Sequence, residues 1–556
     1  MGPSGAGKTT LLNLLSGFLV PIKYYYTEMY TSVLPDMNCI LLRSKGMEGE
    51  ICTNGVPRDM AVFRKNSCYI LQSDQLHPLF TVSEVLHMAA SLKLGPGTSS
   101  KSRSIAVHNV LEALGLVSCR NTRAAMLSGG QQKRLSIALE LLDNPPVMFL
   151  DEPTTGLDSS ASFSCVELLT RLARGGRTVI CTLHQPSARM FETLDHVYLL
   201  SRGRCGFQGD SRLAVSFLDV ATGLKCPRYH NPADFMLDVA SGEEGDVTEK
   251  LERASSSDQW RRVTPRVAPI VPMASSVIVN ETRNVLFRAH KHGVSEWSKF
   301  CVLLRRSFLM HSRNWTTTHL KISLHTLVGI LLGLLYGGAG QDGSRSISNL
   351  GFYLVTIVYL AYTAMMPAVL AFPSEMQVLR KERFNNWYSL RTYYAAFTVA
   401  GTPLQVLFCT LYVCMSYFLS GQSFELARFL QFFGICLLVS FLAESIGLLL
   451  GSCLNQVNGT FIGAYSTALW IMLAGFLLFY DHTPPWLRWL HFTSYMHYAF
   501  EALAITQYGY PRKLLEEMSL TEGNFWPDVA ILVSMVLVLR ACAYWGLRRR
   551  LDSLTC

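Results

Sequence analysis

The chain has 556 residues, which is too long for one ordinary domain and suggests several units of typical size. Residues 1 to about 295 mix polar and apolar types as soluble α/β proteins do, whereas the remainder contains apolar runs of around 20 residues, long enough to cross a bilayer. The formal net charge is +9, but the basic residues cluster beside those apolar runs, and this placement favours a membrane protein over a nucleic-acid-binding one.

The first motif is a phosphate-binding loop at residues 2–9, which fits G-x-x-x-x-G-K-[ST] without a mismatch. Its glycines allow successive backbone N–H groups to surround phosphate oxygens, and a helix starting near Lys8 would present its positive end to them. Lys8 would neutralise phosphate charge, and Thr9 is placed to ligate Mg²⁺. Taken alone, the loop also fits other NTPases. The candidate ATP-binding residues here are Gly2, Pro3, Ser4, Gly5, Ala6, Gly7, Lys8, Thr9 and Thr10.

A second glycine-rich segment runs from Leu127 to Gln131, reads LSGGQ and precedes a helical pattern. Ser128, Gly129 and Gly130 would offer another helix N-terminus to an anion. A plain Ser-Gly turn before a helix fits the same residues equally well.

A buried-strand run then begins at Val147 and ends in two carboxylates, Asp151 and Glu152. Asp151 is placed to support Mg²⁺, often through water, and Glu152 to polarise an attacking water as general base or by orienting it. An ordinary strand followed by a solvated acidic turn is the competing interpretation. It is disfavoured about 140 residues after a phosphate loop.

Together these segments resemble the ATP-binding cassette of ABC transporters, in which LSGGQ stands about 20 residues before such a strand. The resemblance implies that Gln72 touches Mg²⁺ and the attacking water and senses the membrane domain. It also implies that Asp158 belongs to a loop that crosses to a partner cassette, and that His184 is the switch histidine that contacts the γ-phosphate. The implied cofactors are ATP and Mg²⁺. The implied catalytic residues are Glu152, His184 and Gln72. Mg²⁺ would be held by Thr9, Gln72 and Asp151, through phosphate and water. The further implied ATP contacts are Ser128, Gly129, Gly130, Gln131 and Asp158.

Three further segments resemble the G subfamily, the White-type and sterol-exporter half-transporters, in which the cassette precedes the membrane domain. They are Tyr229 to Phe235, Phe372 to Glu375 and Asn386 to Ser389. The run from His230 to Gly242 is most similar to the sterol and phospholipid exporters, and the pigment-precursor branch is less similar. The implied fold is an α/β P-loop NTPase cassette followed by an all-α transmembrane domain of six helices. The implied assembly is a dimer with a second half-transporter subunit, either identical or different.

Two departures from the family pattern lie in the cassette. The strand that should lead into the phosphate loop is absent from the sequence, so an N-terminally truncated cassette is predicted. Residues of about 19–43 have no counterpart in the family. The second stretch fits a true insertion, but we expect errors in the gene model at both places.

The predicted organisation is a cassette at 1–240, a linker at 241–295, an interfacial connecting helix at 296–314 and a transmembrane domain at 315–556. Basic residues beside the spans place the cassette in the cytosol. The protein is expected to be multi-pass, in the plasma membrane or an intracellular vesicle membrane. The predicted spans lie near 319–337, 349–372, 394–419, 428–452, 458–480 and 527–546.

Two carboxylates and two apolar residues of the membrane half carry further expectations. Glu375 matches a family glutamate at the inner end of the second span. Glu444 lies within the fourth, where helix packing and substrate contact are equal alternatives. Phe476 and Leu477 align with the apolar plug that closes the cavity in the family. Ordinary packing against lipid is the alternative interpretation of these two residues. The 15 cysteines form no Cys-x-x-Cys pair, so no zinc site is predicted.

These expectations combine into ATP-driven export of a lipophilic substrate, a sterol or a phospholipid, with membrane lipid as a partner and no nucleic acid. Three alternatives stay open at this stage. They are a non-hydrolysing, ATP-binding partner subunit of a heterodimer, a pigment-precursor transporter and an ATP-gated channel.

Overall fold

The computed structural model describes residues 1–18, 51–95, 98–243, 245, 247–255, 294–478, 483–508 and 525–555. The segment 19–43 and most of the linker 241–295 lie outside the described residues. The chain divides into two compact units. The first comprises Met1–Val302, Arg380–Ser389 and Ser553–Cys556, and the second comprises Leu303–Leu379 and Leu390–Asp552.

Among the described residues, the central sheet of the first unit has three parallel strands in the order β3-β4-β5. Three of the four residues of the middle strand, Met148, Phe149 and Leu150, are each 0% exposed, as is usual for a parallel sheet covered on both faces. Ile70 lies opposite Leu150, and Leu150 opposite Cys181, so the three strands end at the same level. Their bounds are Ser67–Ile70, Val147–Leu150 and Thr178–Cys181.

Two antiparallel hairpins complete the strands described in this unit. The short pair β1 and β2, Cys52–Thr53 and Val56–Pro57, is joined by Asn54 and Gly55, whose positive φ angles suit a two-residue hairpin turn. The longer pair β6 and β7 covers Val197–Ser201 and Arg204–Gly209. Met1 bonds to β6 through its carbonyl, which accepts the Leu200 N–H at 2.9 Å, and this places the phosphate loop beside that hairpin.

The helices of the first unit pack around these strands. They are α1 Lys8–Ser16, α2 Met60–Asn66, α3 Val82–Lys93, α4 Ser100–Ala113, α5 Gly129–Leu141, α6 Ser159–Arg174, α7 Ala188–Thr193, α8 Ala214–Thr222, α9 Pro232–Ser241 and α10 Thr248–Ser255. The helix α11, Glu296–Arg313, lies where the interfacial connecting helix is predicted.

The Asn-Pro-Ala-Asp-Phe segment forms the start of α9. Asn231 is its N-cap and accepts the Ala233 N–H at 3.1 Å, and a proline follows at the first helical position, where its missing N–H costs nothing. The Asn231 amide also donates to the carbonyl of Pro186 at 2.9 Å. Phe235 is buried in the core beneath. This motif therefore holds the segment that follows His184.

The second unit is built from long apolar helices around one core. They are α12 Lys321–Leu335, α13 Ser346–Phe384, α14 Leu390–Leu419, α15 Leu426–Cys453, α16 Gln456–Met472, α17 Tyr495–Tyr508 and α18 Phe525–Thr555. The last five residues of α13 belong to the first unit. Phe476, one of the two predicted plug residues, packs edge-on against Phe500 with ring centroids 5.9 Å apart, while Leu477 is 59% exposed.

Five of the described helices are long and apolar enough to cross a membrane. The helix in the place of the predicted fifth span, α16, has 17 residues, which is shorter than the roughly 20 needed to cross the hydrocarbon. The predicted fifth span, 458–480, therefore stays a prediction. The five candidates are Thr318–Leu335, Gly343–Phe384, Leu390–Leu419, Leu426–Cys453 and Phe525–Asp552.

Glu444 on α15 forms an ion pair with Arg540 on α18. The carbonyl of Arg540 in turn accepts the hydroxyl of Tyr394 on α14 at 2.9 Å. A carboxylate within an apolar helix is costly unless it is paired, so this contact ties three helices together. The observed pair is the kind of contact that the helix-packing alternative for Glu444 predicts.

Replacing Arg540 with Met is expected to destabilise the second unit by about 3 kcal/mol, because the substitution leaves the half-buried Glu444 carboxylate without its ion-pair partner inside an apolar helix. The measurement is the thermal unfolding midpoint in detergent. The double variant Glu444→Leu with Arg540→Met should recover most of the loss. A single variant as stable as the wild type, or a double variant no better than the single, would contradict the assignment.

Candidate functional site

The aligned strand ends of the central sheet bring the predicted catalytic residues to one edge. Gln72 follows β3, Asp151 and Glu152 follow β4, and Thr182 and His184 follow β5. Because the strands are parallel and in register, residues more than 100 positions apart in sequence meet at the carboxyl end of the sheet. This is the edge at which open α/β sheets bind their ligands.

The phosphate loop wraps the start of α1. Gly5 and Gly7 have φ angles of 79° and 97°, in the left-handed region that favours glycine. Gly7 is the N-cap and supplies no side chain, so the first N–H groups of α1 remain available to an anion. The Lys8 ammonium curls back over the loop and donates to the carbonyls of Gly2 at 2.8 Å and Pro3 at 3.1 Å. The loop is thus shaped to receive phosphate oxygens.

The remaining loop residues connect this cradle to the strand ends. The Ala6 N–H donates to the Pro3 carbonyl at 3.2 Å, which closes the turn. Ser4 Oγ lies 3.3 Å from Nε2 of the exposed His184. Thr10 lies on the exposed side of α1. His184 therefore stands at the rim of the phosphate loop, where the predicted contact with a γ-phosphate requires it.

Asp151 lies at the centre of a set of hydroxyl groups. Its Oδ1 accepts from Thr182 Oγ1 at 2.7 Å and from Thr9 Oγ1 at 3.1 Å, while its Oδ2 lies 3.5 Å from the Tyr69 hydroxyl. Burial, together with the neighbouring Asp151 charge, raises the pKa of Tyr69 well above its ordinary value, so this hydroxyl keeps its proton.

The donor set around Asp151 fits Mg²⁺, which prefers oxygen ligands and keeps several waters. Thr9 and Asp151 supply a hydroxyl and a carboxylate side by side, next to the loop that would carry the phosphates. Within the described ranges, no group of three or more His, Cys, Asp or Glu residues is arranged to hold a metal ion. A site completed by phosphate and water does not need one.

Hydrogen bonds hold Glu152 at its backbone N–H and at its carboxylate. Its backbone has a φ of 41°, uncommon for a residue with a side chain, and its N–H donates to Thr182 Oγ1 at 2.7 Å. Its carboxylate accepts from Gln72 Nε2 at 2.8 Å and from Thr155 Oγ1 at 2.9 Å. The two residues predicted to handle the attacking water, Glu152 and Gln72, are therefore in direct contact.

A buried lysine fixes the segment that carries Gln72. Lys133, on α5 and 2% exposed, donates to the backbone carbonyl of Gln72 at 2.8 Å and to that of Leu71 at 3.2 Å. It also pairs with Asp74 at 3.2 Å. The helix that begins with the LSGGQ segment thus anchors the glutamine loop.

The LSGGQ segment forms the N-terminus of α5 through a reciprocal cap. Ser128 Oγ accepts the Gln131 N–H at 3.4 Å, and the Gln131 side chain accepts the Ser128 N–H at 3.0 Å. Ser128 is exposed and Gln131 is half-buried. They form a second group, separate from the strand-end residues in the hydrogen bonds of the described chain.

Gly129 and Gly130 allow a close approach between this cap and the start of α6. A Cβ at Gly129 would lie 3.3 Å from Leu157, and one at Gly130 would lie 3.1 Å from Ala161. Asp158 caps α6 by accepting the Ala161 N–H at 3.2 Å. The second group of predicted ATP contacts is therefore one packed surface, made of the LSGGQ cap and the Asp158 loop.

The segment Arg380–Ser389, which contains the end of the second candidate span and the turn before the third, belongs to the first unit. Asn385 pairs with the backbone of Tyr69 in both directions, accepting its N–H at 2.9 Å and donating to its carbonyl at 3.0 Å. Asn386 donates to the carbonyl of Arg64 at 2.8 Å. β3 is an edge strand among the described residues, and the side chain of Asn385 pairs with the backbone of Tyr69 on that strand.

A buried ion pair supports the same segment. Lys93 contacts Glu140 at 2.6 Å and Asp143 at 3.0 Å, and its ammonium lies 5.0 Å from the ring centre of Trp387. Burial alone would lower the pKa of Lys93, but the two carboxylates raise it above its ordinary value. The Trp387 N–H also lies 3.4 Å from the Glu140 carboxylate. The Asn386 to Ser389 segment is therefore anchored by charge as well as by hydrogen bonds.

Sequence reasoning missed Thr182, Tyr69, Thr155 and Lys133. Thr182 carried one signal, a hydroxyl residue directly after an apolar strand run and two residues before His184. The other three carried none, because their contacts depend on strand register and helix packing.

Two family models match the chain, one described as ABC transporter over residues 1–155 and one as ABC-2 type transporter over residues 298–508. The chain is 30% identical to ABC transporter G family member 21 of Arabidopsis thaliana, over 99% of this chain and 83% of that protein. It is also 30% identical to member 7 from the same plant, over 91% of this chain and 69% of that protein. Identity to the broad substrate specificity ATP-binding cassette transporter ABCG2 of Rattus norvegicus is 27%, over 90% and 77% respectively.

Proposed function

The chain belongs to the G family of ATP-binding cassette transporters and is an ATP-hydrolysing transporter, and from this premise we propose that it exports a sterol or phospholipid as a dimer. The observation that carries the catalytic part is the contact between Gln72 and Glu152 beside the Asp151 carboxylate. The proposed location is the plasma membrane or an intracellular vesicle membrane, with the cassette in the cytosol.

The proposed roles follow from the chemistry of phosphoryl transfer, in which positioning and charge stabilisation dominate. Lys8 and the N–H groups of α1 bind the phosphates of ATP, while Thr9 and Asp151 hold Mg²⁺, which neutralises charge on the phosphates. Glu152 accepts a proton from the attacking water or orients it, and Gln72 and His184 position the water and the γ-phosphate.

The dimer is proposed because Ser128 and Gln131, which cap α5, share no hydrogen bond with the phosphate loop among the described residues. The phosphate loop and the strand ends form one set of candidate ATP contacts, and the LSGGQ cap forms the other. Ser128 is exposed, so the capped N-terminus of α5 can face a second cassette. Each ATP would then be enclosed by the phosphate loop of one subunit and the LSGGQ cap of another.

We place the link between hydrolysis and transport at the Arg380–Ser389 segment. Asn385 holds the backbone of Tyr69, whose hydroxyl reaches Asp151, and Gln72 follows only three residues after Tyr69. A change in the position of Gln72 when nucleotide binds would therefore be felt at the segment that joins two candidate spans.

A lipophilic substrate is supported by the exposed face of α16. Val457, Phe461, Tyr465 and Leu469 recur every four residues along one side of this helix, and each is more than 40% exposed. Such a face suits contact with lipid or with an apolar substrate. The rat relative is named for broad substrate specificity. For this reason several lipids should be compared in one assay.

Glu152→Gln is expected to abolish most ATPase activity of the purified chain while ATP still binds, because the substitution removes the carboxylate beside the attacking water. The measurement is phosphate release together with ATP binding in proteoliposomes. Glu192→Gln, at an exposed position on α7, is the matched control and should behave as wild type. Activity that survives Glu152→Gln would contradict the catalytic assignment. A wild type that binds ATP without hydrolysing it would favour the partner-subunit alternative.

The same vesicles test the substrate proposal. Labelled sterol and labelled phospholipid should each be compared with a polar pigment precursor. ATP-dependent movement of a lipid that stops in Glu152→Gln supports export, and passive flux unaffected by Glu152→Gln would favour a channel instead. Transport of the precursor alone would place the protein in the pigment branch.

Asn385→Ala removes both hydrogen bonds to the Tyr69 backbone, and we expect it to uncouple hydrolysis from transport. Basal ATPase activity should stay within about twofold of wild type, while lipid moved per ATP falls by about threefold or more. The exposed Asn121→Ala serves as control. An equal fall in both activities, or no fall in either, would argue against the assigned link.

A further inference from the structure

The hydroxyl of Thr182 makes two short hydrogen bonds, one to the side chain of Asp151 and one to the backbone of Glu152. Its hydroxyl donates its single proton to Asp151 Oδ1 at 2.7 Å, and its oxygen accepts the Glu152 N–H at 2.7 Å. The residue is 7% exposed and Asp151 5%, so water competes little for either bond. One hydroxyl thus joins the candidate Mg²⁺ carboxylate to the backbone of the candidate catalytic carboxylate.

We propose that Thr182 is a positioning residue that sets the geometry of Asp151 toward Mg²⁺ and of Glu152 toward the attacking water. This inference rests on the proposed ATPase site. The hydroxyl fixes the orientation of the Asp151 carboxylate, with Oδ1 toward Thr182 and Thr9 and Oδ2 toward Tyr69. Its lone pair also holds Glu152 at a φ of 41°, a conformation that a residue with a side chain rarely adopts unaided.

The backbone of Thr182 has a separate structural task. Its N–H donates to the Leu150 carbonyl at 3.0 Å and extends the β4–β5 ladder by one bond. This bond does not involve the side chain, so removing the hydroxyl should leave the sheet intact. His184 follows two residues later, so Thr182 also fixes the start of the segment that carries it.

The test compares Thr182→Val, which keeps the branched shape without the hydroxyl, with Thr182→Ser, which keeps the hydroxyl. Thr170→Val is the control, because the Thr170 hydroxyl bonds only to the Val166 carbonyl within its own helix at 3.0 Å. We expect Thr182→Val to lower kcat by about tenfold or more and to raise the half-activating Mg²⁺ concentration several-fold. The Thr182→Ser variant should stay within about threefold of wild type.

A second readout does not need hydrolysis. The affinity for a fluorescent ATP analogue is measured with and without Mg²⁺. The wild type should bind the analogue more tightly when the metal is present. Thr182→Val should lose most of that gain while binding without Mg²⁺ stays within about twofold. If the wild type does not hydrolyse ATP, the proposed function fails, but this comparison still decides the role of Thr182.

The proposal is overturned if Thr182→Val keeps both its kcat and its Mg²⁺ dependence within about twofold of wild type. It is equally overturned if Thr182→Ser is as impaired as Thr182→Val, or if a lower melting temperature is the only change. Should Thr182→Val fail to fold, Thr182→Ala gives the same comparison, because the ladder bond of the backbone does not depend on the side chain.

Discussion

The register of the three parallel strands determines where every candidate catalytic group of the cassette lies. Each strand ends at the same level, so the next residues of each, Gln72, Asp151 with Glu152, and Thr182 with His184, meet at one edge. The hydrogen bonds there cross between strands, from β5 to β4 and from β3 to β4. A shift of one residue in any strand would separate these groups, which makes the buried core of β4 a requirement for chemistry as well as for stability.

The phosphate loop reaches this edge directly, and the Arg380–Ser389 segment is connected to it through Tyr69. Thr9 reaches Asp151 from α1, and Tyr69, whose backbone is held by Asn385, points its hydroxyl at the other oxygen of that carboxylate. One carboxylate therefore contacts elements tied to nucleotide binding and to the membrane-spanning chain. This arrangement suits a transporter in which ATP hydrolysis and substrate transport depend on each other.

Much of the site could be predicted from sequence because its motifs are local. The phosphate loop, the LSGGQ cap and the Asp151–Glu152 pair each specify their own turn or strand end, and the structure has a helix starting at Lys8 and at Gly129 as expected. Contacts between distant segments could not be predicted. The partner of Glu444 lies 96 positions away, and the pairing of Asn385 with Tyr69 spans 316. Such contacts depend on packing, for which a single sequence carries no periodic signal.

The composite site of a dimer is tested most directly by mixing two disabled chains. Lys8→Met removes the lysine proposed to bind phosphate, and Ser128→Arg blocks the LSGGQ cap, so homodimers of either variant should contain no intact composite site. When both chains are coexpressed and purified as mixed dimers, one site combines the intact loop of one subunit with the intact cap of the other. The account predicts ATPase activity clearly above that of either variant alone. Mixed dimers as inactive as the two single variants, beside an active wild type, would contradict it.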